Sequence, residues 1–120
     1  MLFMLPVVCL GGTIEKIAGL IKQGNVHELA NFFAANVDIS IIDESDVYSK
    51  TQAEIILKKF FTTNKPSSVK ILHRVNSNPN YNFAVLIVTT DKGVYRVALT
   101  MKGAGEALSI IEFRIEAEKT

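Results

Sequence analysis

The run from Tyr81 to Thr90 is apolar on both faces of a strand, with Phe83, Val85 and Ile87 alternating against Ala84, Leu86 and Val88. An antiparallel strand of that kind has to be covered on both sides. Its neighbours show how. Strands are expected at about Val69 to Val75, Val94 to Lys102 and Ala107 to Ala117, joined by Asn78-Pro79-Asn80, Asp91-Lys92-Gly93 and Gly103-Ala104-Gly105. These tripeptides tolerate tight or positive-φ geometry, and connections this short give an antiparallel meander. Tyr95, Val97, Leu99 and Met101 share one face of their strand, and Ile111, Phe113 and Ile115 share one face of theirs. Those two strands each have one core side and one wet side.

The first half of the chain has the helical period. Thr13 is placed to cap a helix whose Ile14, Ile17, Ala18 and Ile21 form one stripe, and Gly24 supplies the left-handed position that ends it. Asn25-Val26-His27-Glu28 reads as a capping box for a second helix carrying Val26, Leu29, Ala30 and Phe33. From Val37 the period changes to two, so Val37, Ile39 and Ile41 alternate with Asp38 and Ser40 in a strand closed by the polar turn Asp43-Glu44-Ser45-Asp46. Ser49-Lys50-Thr51-Gln52 is a second capping box. It opens a third helix with Ala53, Ile56, Leu57, Phe60 and Phe61 on its apolar face, which ends at Lys65-Pro66. The order is ααβ-α-ββββ, an α+β domain with helices packed on the concave face of a curved antiparallel sheet. Three helices cover that face only. The outer face of the Tyr81 to Thr90 strand is left for a second copy of the chain or for the apolar N-terminal segment, and a homodimer through the outer sheet face is the expected partner.

With 120 residues the chain fits one domain, over 13–120, preceded by an apolar segment at 1–12. Met1 to Gly12 carries no charge and falls short of the roughly 20 residues a membrane span needs. It reads either as the remnant of an export leader or as a packing segment. A leader places the protein in the periplasm or outside the cell, and a packing segment places it in the cytoplasm. The 13 basic and 12 acidic residues are dispersed, which argues against nucleic acid as a partner. Cys9 is the only cysteine, so no intrachain disulfide exists, and with two histidines the inventory is poor for zinc. Neither a metal nor a cofactor is expected.

The element order resembles the cystatin-like cone of nuclear transport factor 2-like proteins. Gly24-Asn25 with Leu29 and Phe32-Phe33, Val37-Asp38-Ile39, Tyr48-Ser49 with Gln52-Ala53, Ile56-Leu57, Phe60-Phe61, Ile71 to His73, and Gly93 with Tyr95-Arg96 resemble, more narrowly, an uncharacterised bacterial family within that superfamily. The likeness runs from about Ile14 to Glu116. It departs at Arg74-Val75, where the family pattern has a basic residue followed by glycine. Members of that family usually carry an export leader. The likeness implies fold and no established activity.

Candidate chemistry is thin. His73, assigned to one strand face with Val69, Ile71 and Val75, is either a general base in the cone or a core or rim histidine with satisfied ring nitrogens. Enzymes of the resembled fold, steroid isomerases and scytalone-dehydratase-like proteins, use an Asp or a His-Asp pair with tyrosines, which makes Asp38, Tyr48 and His73 the catalytic candidates. Asp38 alternates with Val37 and Ile39 and is expected to face solvent. Phe33, Phe60, Tyr95 and Phe113 are the candidates for contacting a small apolar ligand, and the same rings are needed to fill the cone. Arg96 reads as pairing with Glu112 or Glu116 across the sheet. The residues favour a non-enzymatic binding or scaffold domain, with an isomerase- or dehydratase-like enzyme as the alternative. An open cavity holding Asp38, Tyr48 and His73 together separates the second from the first.

Overall fold

The structure, a computed structural model, describes residues 12–78, 80–103 and 108–118, with side chains left out at 76–78. The segment 1–11 and most of the Gly103-Ala104-Gly105 turn lie outside the described residues. Three helices lie on one face of a six-stranded sheet of order β2-β1-β6-β5-β4-β3.

Helix α1 (Thr13–Gln23) buries Ile14, Ile17, Ala18 and Ile21, the stripe set by the sequence spacing. Thr13 does not cap it. Gly12 occupies the cap position, no side chain bonds there, and Thr13 is the first helical residue. Gly24 ends the helix at φ 70°, with its N–H turned back to Leu20 and Ile21 carbonyls, a left-handed conformation that glycine adopts at no steric cost. Helix α2 (Val26–Leu29) is shorter than the spacing predicts. Asn25 accepts the Glu28 N–H at 3.2 Å, but its own N–H goes to the Leu20 carbonyl, so only half of the expected box forms. The chain then tightens into a 3-10 turn (Ala30–Phe32), and Phe33 is already extended, entering the core as the first residue of a strand.

Strand β1 (Phe33–Ile41) continues through a two-residue turn, Ile42-Asp43, into β2 (Glu44–Ser49). The expected polar turn over Asp43 to Asp46 is therefore mostly a strand, and the element order gains one. β2 sits at the sheet edge with five of its six residues exposed, so nothing demands an apolar face, and its composition is that of a turn. Helix α3 (Lys50–Thr63) starts on the reciprocal Ser49–Gln52 box and buries Ala53, Leu57 and Phe61 against the sheet. The meander follows as β3 (Pro66–Asn78), β4 (Tyr81–Thr90), β5 (Gly93–Lys102) and β6 (Ser109–Ala117), all antiparallel, and β6 closes against β1 in parallel.

On the inner face Ala84, Leu86 and Val88 of β4, Val97, Leu99 and Met101 of β5, and Phe113 and Ile115 of β6 are all fully buried. Two bulges change the faces read from simple alternation. In β6, Met101 pairs with Ile110 while Thr100 pairs with Glu112, so Ile110 is fully buried and Ile111 is the extra, half-exposed residue. In β3, Ile71 pairs with Leu86 while His73 pairs with Val85, and Leu72 is the residue left over. One extra residue moves everything beyond it to the other face. His73 and Val75 therefore lie on the outer face, and Arg74 lies on the inner face, where it forms an ion pair with Glu15 of α1.

Among the described residues no helix covers the outer face of β4, where Phe83 is 38% exposed and Val85 7%. Val75, Phe83, Val85, Ile87 and Ala98 form an apolar half-face beside a charged half containing Arg96, Glu112, Arg114 and Glu116. Arg96 pairs with Glu118 at 3.0 Å rather than with Glu112 or Glu116, and Glu112 instead accepts the Thr100 hydroxyl at 2.9 Å.

Candidate functional site

The cone is filled for most of its depth. Phe33 and Phe113 stack edge-on with ring centroids 6.4 Å apart, 3% and 0% exposed, so these two candidates for ligand contact are core. Among the described residues the interior opens toward the β1–β2 hairpin. Ile39 is 1% exposed, while Ile41, one inward step further, is half-buried. In the hairpin register Glu44 stands opposite Ile41 and Tyr48 opposite Val37, which turns Glu44 and Tyr48 to the inner side. Helix α3, fixed by Ala53, Leu57 and Phe61, turns Ile56, Lys59, Phe60 and Thr63 toward them. Between hairpin and helix lies a cleft of about 380 Å³, with Ile39, Ile41, Tyr48, Ile56 and Phe60 as apolar walls and Glu44, Lys59, Thr63 and Asn64 as polar ones.

Its floor is held in place. The Phe60 ring meets Phe61 and Tyr95 edge-on, each at 5.2 Å. The Tyr95 hydroxyl donates to Asn64 Oδ1 at 3.1 Å, and Asn64 Nδ2 donates to the Phe60 carbonyl at 3.0 Å. Asn64 is 8% exposed, so these bonds satisfy a buried polar side chain and fix the end of α3. Tyr95 thus supports Phe60 from behind. A second, smaller hollow of about 150 Å³ continues past Tyr48 and Ile56 to Gln52 and Ile55.

The three catalytic candidates do not meet. Tyr48 lines the cleft. Asp38, paired across the sheet with Val47 and Glu112, lies on the outer face, where Ser45 donates to it at 3.4 Å. His73 lies on the outer face too, displaced there by the Leu72 bulge. Among the described residues no cluster of three His, Cys, Asp or Glu side chains is arranged to hold a metal ion. Glu44, Lys59, Thr63 and Asn64 are the site residues that the sequence did not single out. Glu44 falls in the apparent turn over Asp43 to Asp46, and Lys59 lies off the apolar stripe of the third helix. Only the register of an edge strand brings them together.

A helical half followed by a curved sheet, closed into a cone by β1 against β6, is a shape shared with known structures. The family described as a domain of unknown function, DUF4783, matches residues 14–116. The chain belongs to this family. A DUF4783 family protein from Bacteroides uniformis is 26% identical, with a TM-score of 0.84 over 91% of this chain and 100% of that one. A domain of unknown function with a cystatin-like fold from Nostoc punctiforme superposes at a TM-score of 0.71 with 9% identity, over 93% of this chain and 76% of that one. A protein titled Rd1NTF2_04 with long sheet superposes at 0.69 with 15% identity, over 85% and 94%. The last two likenesses concern fold alone, a cystatin-like, nuclear transport factor 2-like fold. No curated protein matches the sequence. No described helix of this DUF4783 domain is long and apolar enough to cross a membrane.

Proposed function

We propose that the protein is a non-enzymatic binding domain whose ligand enters the cleft between α3 and the β1–β2 hairpin. The observation that carries this is the composition of the cleft: a rigid apolar floor with only a few polar groups, at a volume typical of small-molecule sites. Tyr48 has neither Asp38 nor His73 beside it, so the Asp or His-Asp pair that the isomerase or dehydratase alternative calls for is not assembled in the cleft. The test is titration with N-phenylnaphthylamine, a neutral apolar dye that brightens on leaving water. Saturable binding that Ile56→Asp abolishes supports the reading, and dye binding insensitive to Ile56→Asp overturns it.

A second proposal concerns assembly. Phe83 and Val75, 38% and 49% exposed, head the apolar half of the outer face, and a second copy of the chain is the occupant that fits it. The adjoining half carries both signs of charge, so it is compatible with a copy of itself across a two-fold axis. Light scattering should give twice the chain mass at micromolar concentration, reduced to a single chain by Phe83→Lys. A wild-type monomer under those conditions removes this proposal and leaves the cleft untouched.

A further inference from the structure

The cleft has a charge on each wall. Glu44 stands on the hairpin and Lys59 on α3, both lining the same space, and neither makes an ion pair with any described residue, including each other. Two opposite charges set on facing walls of an apolar cavity, and left unpaired, match a ligand that carries both signs itself. A second, smaller hollow shares the Tyr48 and Ile56 side chains with it. Beyond Tyr48 and Ile56 the smaller hollow continues the apolar surface to Ile55, which is 62% exposed, so a chain threaded from the charged end has somewhere to go.

An extended peptide laid on the β2 edge is the other ligand with that shape, and the edge does not favour it. The Val47 N–H donates to Asp46 Oδ1 at 2.8 Å and the Ser49 N–H to Gln52 Oε1 at 3.4 Å, so donors a new strand would use are occupied. We infer that the cleft takes a single-chain zwitterionic amphiphile, with the alkyl chain crossing Tyr48 and Ile56 and the head group held between Glu44 and Lys59. This rests on the binding reading above and adds the ligand's chemical class.

Displacement of N-phenylnaphthylamine tests it, using dodecyl-chain probes below their micellar concentrations. Dodecylphosphocholine carries a phosphodiester and a quaternary ammonium, and Nε-dodecanoyl-lysine an amino-acid zwitterion; dodecanoate and dodecyltrimethylammonium carry one charge each. At least one zwitterion is expected to bind about ten-fold more tightly than either singly charged chain. The better of the two identifies the head group, because a quaternary ammonium cannot donate a hydrogen bond to Glu44. Lys59→Gln should then weaken the zwitterion and dodecanoate and spare dodecyltrimethylammonium, while Glu44→Gln should do the reverse for the cation. Both positions are exposed, and a cooperative thermal transition confirms that each variant is folded. If the dye binds but the singly charged chains match or exceed both zwitterions, the ligand class is wrong and the binding reading survives. If the dye itself does not bind, both fall.

Discussion

Ile42 holds a left-handed backbone at φ 57°, a conformation that a β-branched residue occupies only under constraint. The constraint is the two-residue connection from Ile41 to Glu44, and the Ile42 N–H also reaches the Ile115 carbonyl at 2.8 Å, tying the hairpin to β6. The side chain is 45% exposed, so its removal sacrifices little burial. Glycine relieves a strain of about 1–2 kcal/mol and costs part of that in chain entropy, so Ile42→Gly should stabilise the fold by ~0.5–1 kcal/mol. Urea denaturation reads this as a higher midpoint at an unchanged slope. His27 illustrates a second residue-scale effect. Its Nδ1 bonds to Glu54 Oε2 at 2.9 Å, and the hydrogen bond, followed by the Glu54 charge, raises its pKa above the ordinary imidazole value. A raised folded-state pKa means that the pairing contributes fully below the ordinary value and is lost as pH rises through the raised one. NMR titration should find the His27 midpoint above that of a free imidazole, and Glu54→Gln should bring it down.

At the scale of elements, the two sheet edges are protected differently. β2 uses its own side chains, with Asp46 and Gln52 occupying the Val47 and Ser49 amides. β3 uses an irregular ladder, shifted near Ser67 and again at Leu72, with Pro66 at its start. Asp46→Ala leaves the Val47 amide free, and the expected outcome is concentration-dependent association, visible as a shorter elution volume at high protein concentration; unchanged elution would mean that Asp46 is not what guards this edge. The same elements show what was legible beforehand. Gly24 and the Ser49–Gln52 box announce their helix ends because only certain residue types perform those jobs. The core of β4 and β5 follows from alternation. The bulges at Leu72 and Ile111 leave no such mark, since both are ordinary apolar residues, yet each reverses the face of whatever follows. That is why His73 was assigned inward and stands outward, and why Ile111 yields its core place to Ile110. β2 was missed for a related reason, because an exposed edge strand and a turn share a composition. Tyr48 and Phe60 could be nominated for the cleft by type, but Glu44 and Lys59 could not, because their meeting depends on that strand's register.

For the whole molecule, the arrangement separates two surfaces. Among the described residues the inner face is taken up by the core and opens where the β1–β2 hairpin and α3 diverge, and the outer face is half apolar and half charged. We propose ligand binding at the first and self-association at the second, so changes on one should leave the other intact. Phe83→Lys should abolish pairing without altering dye affinity, whereas Ile56→Asp should do the opposite. Amide chemical-shift mapping during titration with N-phenylnaphthylamine tests the assignment of the cleft most directly. Shifts concentrated at Ile39 to Tyr48 and Ile56 to Asn64 are expected. Shifts concentrated instead at Val75, Phe83 and Val85, or none above those of solvent alone, would show that the cleft is not the binding site.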